Sequence, residues 1–348
     1  MSKRFLSAFA AVCFLMGSVS CFATSSGISA ASYVVYEAQS GRVLMEKDAQ
    51  KKMSIASTTK ILTALTALDC GNLSDEMTVQ KGHLQEGSSM YLAVGEKVSM
   101  ETLLSGLMLS SGNDAAECLT AFARDRETFI RKMNEKARTI GMCDSSFANP
   151  SGLEENGHYS SALDMAKLMS EALKNPTFAR FAATTDMTCG TRQLHNHNKL
   201  LTMLDDCVGG KTGFTKKAGR TLVSAVKRSG LLLICVTLNA PNDWNDHIAL
   251  YQAAAEKFRA CRVLSSDRQF ALTGVRGGTE CAVCLAPQKQ TVYPLCDGEF
   301  TRVVLDYPKE LSAPVYYGQQ IGTANVCFQE AVIAAVPLIC MKTIEKIS

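Results

Sequence analysis

Ser57-Thr58-Thr59-Lys60, continued by the apolar run Ile61-Leu62-Thr63-Ala64-Leu65-Thr66-Ala67-Leu68, is the stretch on which the interpretation of this chain depends. If the run is helical, the serine lies at the helix start and the lysine one turn later, so the hydroxyl and the amine share a face. Such a pair can act as a nucleophile and its base. A serine three residues before a lysine also occurs by chance about once or twice in a chain of this length.

The chain contains a second pair of this kind, Ser224-Ala225-Val226-Lys227. Its flanking residues, Thr221-Leu222-Val223, are typical of a strand. An odd separation along a strand places two side chains on opposite faces. The second pair is therefore predicted to form no site.

Outward from Ser57, the sequence alternates between strand and helix patterns. A hairpin with a glycine turn is predicted between Tyr33 and Met45. Helical spacing of apolar residues predicts further helices, some of them ended by glycine or by a polar break. These helices cover Met100 to Met108, Asp114 to Leu119, Glu127 to Ile140 and Ser161 to Met169.

A second hairpin is predicted from Arg220 to Val226 and Leu231 to Leu238, followed by a helical stripe from Asp246 that closes the unit near Cys261. We therefore predict an α+β fold for residues 24–261, in which an antiparallel sheet packs against a helical cluster.

Helical periodicity disappears after Arg262. Short apolar runs separated by turns predict a small C-terminal β-rich domain over residues 262–348. The predicted strands are Phe270 to Val275, Cys281 to Leu285, Phe300 to Leu305, Val315 to Tyr317 and Ala331 to Val336.

The N-terminus is typical of an export signal. Lys3 and Arg4 precede the apolar run Phe5 to Met16, and small residues suitable for cleavage end at Ala23. The alternative is a membrane anchor, but the run is short for a bilayer span. Lipid attachment at Cys21 is a further alternative, but Ser18 stands where a lipid-attachment signal normally has a leucine. We predict a signal peptide over residues 1–23.

Charge and cysteine content restrict the partners. The formal net charge is +3 and would be +1 without Lys3 and Arg4, so nucleic acid is not an expected partner.

Fourteen cysteines are scattered along the chain, and we interpret most as small core hydrophobes rather than disulfides. Cys281-Ala282-Val283-Cys284 is a lone CxxC that we interpret as part of a strand. The five histidines show no metal-ligand spacing, and neither a metal nor a cofactor is predicted.

Three clusters in order carry the functional signal: Ser57-x-x-Lys60 at a helix start, Ser111-Gly112-Asn113 between helices, and Lys211-Thr212-Gly213 on a strand. This trio is the signature of penicillin-binding proteins and class A β-lactamases. The sequence resembles the low-molecular-mass penicillin-binding proteins that act as D-alanyl-D-alanine carboxypeptidases, and the resemblance covers nearly the whole chain after the signal. Further family-like segments are Gly87 to Leu92, Asn149 to Leu153 with His158, Asn196 to Leu201, Ala218-Gly219 and Ala313 to Val315.

The resemblance implies a β-lactamase/DD-peptidase-like fold and a serine mechanism. Ser57 is the implied nucleophile and Lys60 its base, with Asn113 as orienting residue and Ser111 as proton relay. Lys211 and Thr212 are implied to bind the substrate carboxylate. Gly213 is implied to admit the peptide along the strand edge, and the N–H of Phe214 to complete the oxyanion hole with that of Ser57. The implied partners are a peptidoglycan stem peptide ending in D-Ala-D-Ala and β-lactam inhibitors.

The sequence departs from the family pattern after the second hairpin. Members of the family have an arginine there that helps hold the carboxylate, whereas this chain has Pro241-Asn242-Asp243-Trp244-Asn245-Asp246-His247. His247 could replace the arginine, although we favour a helix cap for Asp246 and His247.

Only eleven residues follow Pro337, too few for a strong amphipathic anchor, so an exported, wall-associated protein with at most peripheral membrane association is expected.

Two other functions share these residues. A serine β-lactamase would need a carboxylate to activate water, and Glu154 and Glu155 lie in an unsuitable sequence setting for it. A non-catalytic penicillin-binding or wall-binding protein is the other alternative, because the expected arginine is missing. Cleavage of crosslinks by an endopeptidase would use the same groups as the carboxypeptidase.

Overall fold

A computed structural model describes residues 27–347 of the chain, so the predicted signal peptide lies outside the described residues. The strands of the first unit are β1 Ser32–Glu37, β2 Val43–Lys47, β3 Glu76–Thr78, β4 Lys97–Ser99, β5 Asp186–Cys189, β6 Arg192–His195, β7 Cys207–Thr215, β8 Gly219–Arg228 and β9 Leu231–Leu238. The helices are α1 Lys60–Leu68, α2 Met100–Met108, α3 Asn113–Leu119, α4 Arg126–Ile140, α5 Ala162–Ala172, α6 Pro176–Ala183, α7 Leu200–Met203 and α8 Asp243–Lys257. The predicted α+β class is confirmed.

A five-stranded antiparallel sheet in the order β2-β1-β9-β8-β7 forms the centre of the first unit. Strand β9 is buried on both faces, because Ile234 and Val236 pack into the core formed with the helical cluster. Leu233 and Cys235 pack on the opposite face with α8. Alternate side chains of one strand thus serve two cores, which explains its nearly continuous apolar sequence.

Helix α1 lies inside the helical cluster, in contact with α2, α3, α4 and α5. Every residue from Lys60 to Ala67 is buried, as expected of a mostly apolar helix that is surrounded by other elements. Three predicted helices occur within one or two residues of their predicted starts, and α5 begins at the cap Ser161, whose side chain accepts a hydrogen bond from the Asp164 N–H. Gly141 ends α4 with φ of 82°. The sequence interpretation missed α6, α7 and the two small hairpins β3-β4 and β5-β6.

The second unit consists of strands. They are β10 Arg259–Leu264, β11 Ala271–Arg276, β12 Ala282–Pro287, β13 Thr291–Leu295, β14 Thr301–Asp306, β15 Glu310–Ser312, β16 Gln320–Phe328 and β17 Ala331–Cys340. Six of them form a sheet in the order β14-β16-β17-β12-β11-β15, while β10 pairs with β13. The predicted strand at Val315 to Tyr317 is wrong, because Val315 makes only an isolated bridge to Ile344. Strands β10, β13, β15 and β16 were not predicted.

Arg42, at the turn between β1 and β2, joins the two units. Its guanidinium contacts both carboxylate oxygens of Glu299, at 2.8 and 2.6 Å. The same group lies over the rings of Phe258, Tyr293 and Phe328, with 4.6–5.4 Å to their centroids. A cation that is paired and also stacked between aromatic rings makes a specific contact between units.

All twelve cysteines between residues 27 and 347 are free thiols, and four of them are buried. Cys281 is exposed just before β12 and Cys284 lies within that strand. Within the same residues, no three His, Cys, Asp or Glu side chains are grouped so that they could hold a metal ion. None of the helices described has the length and apolar character that crossing a bilayer requires.

Candidate functional site

Ser57 lies in a 3-10 turn, Ala56–Thr59, that leads directly into α1. The residue before it, Ala56, has φ of 47°, in the left-handed region that an alanine rarely adopts. The backbone thus turns sharply just before the serine, which leaves Ser57 half-buried at the mouth of a cleft.

Lys60 is fully buried, and its amine makes three hydrogen bonds. The Nζ atom donates to Ser57 Oγ at 2.9 Å, to Asn113 Oδ1 at 2.8 Å and to the Ser151 carbonyl at 2.7 Å. The Ser57 hydroxyl and the Lys60 amine are therefore within hydrogen-bond reach of each other, and the amine is held by groups from two other segments, a geometry that a serine nucleophile and its base require.

Both lysines of the site have lowered pKa values. Burial, followed by the positive charge of Lys211, lowers the pKa of Lys60 well below its usual value, although Asp114 and Glu117 oppose the shift. Burial lowers the pKa of Lys211 to about 7. A lysine with a lowered pKa is available as a neutral base near neutral pH.

Ser111 occupies the break between α2 and α3 with φ of 57°, a conformation that costs energy for a non-glycine residue. Its hydroxyl accepts a hydrogen bond from Lys211 Nζ at 3.0 Å. Asn113, the first residue of α3, donates from Nδ2 to the Glu86 carbonyl at 2.6 Å, which fixes its Oδ1 toward Lys60. The break between helices therefore presents two polar groups to the two lysines.

Strand β7 forms one wall of a cleft of about 500 Å³ that also contains Ser57 and Ser111. Thr212, Gly213 and Phe214 line this wall. A Cβ atom at Gly213 would lie 2.9 Å from the Ser57 backbone nitrogen and 2.5 Å from Thr221 Oγ1. Only glycine allows the strand to approach the nucleophile this closely. The eight predicted site residues all lie at this cleft or directly beneath it.

Several groups at the site were missed by the sequence interpretation. The Asp114 carboxylate holds the cleft rim, because it accepts hydrogen bonds from Ser89 Oγ, Met90 N and Leu92 N at 2.6, 3.1 and 3.2 Å. The Ser151 carbonyl contacts Lys60. Asp114 directly follows the Ser-Gly-Asn cluster, so its position in the sequence could have predicted a role at the site. The contact of the Ser151 carbonyl could not have been predicted, because every residue has a backbone carbonyl.

His158 supports the nucleophile turn from below. Its Nδ1 accepts a hydrogen bond from the Ala148 N–H at 3.2 Å, so Nε2 carries the proton and donates to Thr59 Oγ1 at 2.8 Å. Burial lowers the pKa of His158 to about 4, with a further contribution from the Lys60 charge. The histidine is therefore a neutral positioning residue next to Ser57.

Arg220, Asp243 and Trp244 line the outer end of the cleft, and none of them was predicted as a site residue. Arg220 pairs with Phe214 across the β7-β8 ladder. The sequence could have predicted a role for Arg220, because it is a charged residue near the start of an otherwise apolar strand that closely follows Lys211-Thr212-Gly213.

Both interpretations of His247 are wrong. The helix α8 begins at Asp243, so Asp246 and His247 lie inside it rather than at its cap. His247 is fully buried and bonds through Nδ1 to Ser224 Oγ at 2.7 Å and through Nε2 to Thr237 Oγ1 at 3.0 Å. It faces the sheet and cannot replace an arginine in the cleft. Asp246 instead accepts hydrogen bonds from Ser29.

The buried histidines make stability depend on pH. Burial lowers the pKa of His247 to about 3, below its unfolded value of about 6.5. Between these two values the unfolded chain binds the proton and the folded chain does not, so stability is lost as the pH falls through this window. His247 therefore contributes about 1.4 kcal/mol per pH unit to the fall in the free energy of unfolding between pH 6 and pH 4, and we expect His247→Gln to lack this contribution.

Urea unfolding of the wild type and of His247→Gln at pH 8, 6, 5 and 4 measures how the free energy of unfolding of each protein changes with pH. At pH 8 the imidazole is neutral in both states, so the difference there gives the cost of the changed packing and of the hydrogen bonds to Ser224 and Thr237, without any contribution from titration. Parallel curves from pH 8 to pH 4 would show that His247 does not titrate on unfolding.

The second Ser-x-x-Lys pair lies on β8, as predicted. Ser224 is buried against α8, where its hydroxyl is also 2.8 Å from the Tyr251 hydroxyl, whereas Lys227 is exposed. The two side chains form no site.

The glutamates considered for a β-lactamase lie outside the Ser57 cleft. Glu154 Oε1 accepts a hydrogen bond from the Lys217 N–H at 3.0 Å, and Glu155 accepts one from Asn149 Nδ2 at 3.0 Å. They line a separate small cavity behind Ala56.

Comparison with known proteins gives matches over most of the chain. The family model described as D-alanyl-D-alanine carboxypeptidase matches residues 20–242, and the model described as penicillin-binding protein 5, C-terminal domain matches residues 258–346. The D-alanyl-D-alanine carboxypeptidase DacF of Bacillus subtilis is 30% identical over 335 residues, with 91% of this chain and 86% of the relative covered. DacC of Escherichia coli is 30% identical over 341 residues, with 92% and 85% covered.

Solved structures agree with the sequence matches. Penicillin-binding protein 5 from Haemophilus influenzae superposes with a TM-score of 0.76 at 26% identity, with 92% of this chain and 98% of that chain covered. A structure of PBP3 from Streptococcus pneumoniae has a TM-score of 0.79 at 22% identity, with 91% and 100% covered, and supports the fold. The three clusters Ser-x-x-Lys, Ser-x-Asn and Lys-Thr-Gly lie in the first unit, and the two family models together cover both units. The chain belongs to the D-alanyl-D-alanine carboxypeptidase family of serine peptidases.

Proposed function

We propose that Ser57 removes the terminal D-alanine from peptidoglycan stem pentapeptides through an acyl-enzyme. The observation that carries this proposal is the hydrogen bond of 2.9 Å between Ser57 Oγ and the amine of a fully buried Lys60. A hydroxyl becomes a competent nucleophile when a base with a suitable pKa lies within hydrogen-bond reach.

In the first step, Ser57 Oγ attacks the carbonyl carbon of the penultimate D-alanine and Lys60 Nζ takes the hydroxyl proton. The C–N bond to the terminal D-alanine then breaks, and Ser111 delivers a proton to the leaving nitrogen, replenished from the lysines. Water hydrolyses the Ser57 ester and restores the free hydroxyl. Asn113 orients Lys60 and the substrate amide throughout.

The backbone supports the developing negative charge. The Ser57 nitrogen lies close to Gly213, and Phe214 is the next residue of β7, so we assign the oxyanion to the N–H groups of Ser57 and Phe214. Strand β7 is the outer strand of its sheet, so one edge is open for the substrate to lie along it as an additional strand. In this arrangement the terminal carboxylate lies next to Thr212, which lines the cleft, and Lys211 adds its positive charge from beneath, where its amine donates to Ser111.

The proposal includes export. Residues 1–23 would be cleaved as a signal peptide, residues 24–261 would form the catalytic domain and residues 262–348 the β-rich domain. The protein would act outside the cytoplasmic membrane on wall precursors, with at most peripheral membrane association and no nucleic acid partner. The same Ser57 would be acylated by β-lactams, which resemble the D-Ala-D-Ala terminus.

The experiment combines turnover with mapping of the covalent adduct. We expect the purified protein to release D-alanine from a pentapeptide ending in D-Ala-D-Ala, and penicillin to add its mass once per chain on the peptide that contains Ser57. Ser57→Ala should show neither effect, because both reactions need the hydroxyl. Release of D-alanine by Ser57→Ala at the wild-type rate would contradict the proposal.

The same assays separate the alternatives. Rapid turnover of a fluorescent penicillin, rather than its slow release, would indicate a β-lactamase. Acylation without D-alanine release would indicate a penicillin-binding protein with no peptidase activity. Cleavage of crosslinked dimers by the wild type would add an endopeptidase activity of the same site.

A further inference from the structure

We propose that Arg220 is the fixed cation that binds the terminal carboxylate of the substrate, an assignment that rests on the proposed carboxypeptidase function. The family pattern places a carboxylate-binding arginine on another segment, where this chain has none. The described structure supplies an arginine from a different strand, at the same cleft as Ser57.

The position of Arg220 follows from the register of the sheet. Phe214 lies opposite Arg220, and Thr212 lies opposite Leu222, so Thr212, Phe214 and Arg220 project from the same face. Arg220 is the diagonal neighbour of Thr212, a relation that separates side chains by about 7–8 Å and lies within reach of a long side chain. The carboxylate carbon of a terminal D-alanine is three bonds from the scissile carbonyl carbon, so the group that binds it must line the same cleft as Ser57, as Arg220 does.

Asp243 holds the guanidinium in one orientation. Arg220 Nε donates to Asp243 Oδ1 at 2.9 Å, and Nη2 lies 2.8 Å from the same oxygen. Asp243 is buried, whereas the Arg220 side chain is 40% exposed. The ring of Trp244 covers the guanidinium, with 5.4 Å from Cζ to the centroid. Within residues 27–347, no protein group accepts a hydrogen bond from Nη1, so this edge of the fork is available to a ligand.

The other cations near the cleft are less suited to this role. Lys211 is buried, its amine donates to Ser111, and its pKa is lowered to about 7, so its charge is partly lost at neutral pH. Burial and the Lys211 charge lower the pKa of His197, which leaves that ring neutral. A guanidinium keeps its charge and presents paired donors that match a carboxylate.

Lys199 is the main competitor, because it lines the same cleft and is exposed. Its amine has no hydrogen-bond partner among the described residues, so its position is not held as that of Arg220 is. An ammonium that must be ordered on binding loses more side-chain entropy than a preorganised fork.

The kinetic test compares two substrates. On an acyl-D-Ala-D-Ala peptide with a free carboxylate, Arg220→Gln should lower kcat/KM about 10- to 100-fold, because a charge-assisted hydrogen bond is lost. On the same peptide with a C-terminal amide, the wild type should already be slow and the substitution should change kcat/KM less than about threefold. Arg220→Lys should restore part of the preference for the free acid.

Arg228→Gln is the matched control. Arg228 lies on the same strand and makes a comparable pair with Asp206, at 2.6 and 3.0 Å, but it is about 27 Å further along the strand. It should keep the wild-type preference for the free acid. Equal losses on acid and amide for Arg220→Gln, or loss of the preference in Lys199→Gln instead, would overturn the assignment.

A binding measurement makes the test independent of turnover. Trp244 is the only tryptophan of the chain and lies against Arg220, so its fluorescence reports on this end of the cleft. In the Ser57→Ala background, the free-acid peptide should shift the Trp244 emission and bind at least tenfold more tightly than the amide. Adding Arg220→Gln should abolish that difference. If wild-type turnover fails but this difference is observed, the peptidase proposal is wrong and the carboxylate assignment stands; equal binding of acid and amide to Ser57→Ala would refute the assignment itself.

Discussion

Lys60→Met is expected to slow acylation of Ser57 by about a thousandfold, for both the peptide substrate and penicillin, because general-base assistance is removed from a weak nucleophile. The amine donates to three acceptors, and methionine is an unbranched side chain only one atom shorter that carries no charge. The substitution leaves Asn113 Oδ1 and the Ser151 carbonyl unpaired, but it also removes a buried amine, so the folded protein should persist. Stopped-flow acylation with a chromogenic β-lactam measures the loss, and circular dichroism checks the fold.

Lys227→Met is the control for that experiment. Lys227 also lies three residues after a serine, but it is exposed on β8 and its partner Ser224 is buried in another core. Acylation by Lys227→Met should equal that of the wild type. A Lys60→Met protein that is acylated within tenfold of the wild type would remove Lys60 from the role of base.

Gly213→Ala is expected to lower the acylation rate by about 100- to 1000-fold, the usual cost of losing an oxyanion-hole donor. The added Cβ would lie 2.9 Å from the Ser57 nitrogen and 3.1 Å from the Ala56 Cβ, distances that real contacts do not tolerate without movement. Strand β7 must therefore move away from the nucleophile turn, which separates the two backbone donors. Burst kinetics with a β-lactam measure the acylation rate directly.

Gly82→Ala serves as the comparison, because a Cβ at Gly82 would meet no atom within 4 Å. That variant should acylate at the wild-type rate and have nearly the wild-type melting temperature. If Gly213→Ala binds the β-lactam noncovalently as well as the wild type and is also acylated normally, the close approach of β7 has no role in catalysis.

The sequence predicted the parts of the fold that have strong local patterns. Helices α2 and α4 were predicted because each segment has a local end signal, a polar break after Met108 for α2 and Gly141 for α4, and the apolar spacing of α2 is also helical. Strand β16 and the hairpin β5-β6 were missed, because their half-exposed residues alternate weakly and their pairing depends on distant strands. Pairing partners are a property of the tertiary fold and leave little trace in a single strand.

The candidate site was predictable where residue types are chemically distinctive. Ser57, Lys60, Ser111 and Lys211 were recognised from spacing and family resemblance, whereas Arg220 was overlooked because its role depends on strand register. His247 shows the opposite error: a polar residue near the expected position was considered for the cleft, although the helix turns it toward the sheet. Knowing that a helix begins three residues earlier would have placed His247 on its buried face.

The contact of Arg42 has a consequence for how the molecule loses its structure. Its guanidinium is held by Glu299 and by rings from both units. Melting of the β-rich unit would expose Phe258 and leave Arg42 unpaired, whereas melting of the catalytic unit would expose Tyr293 and Phe328 and leave Glu299 unpaired. Local openings that release one unit alone are therefore unfavourable. The β-rich unit acts as a thermodynamic partner of the catalytic unit, and one arginine in a hairpin turn contributes to the coupling between them.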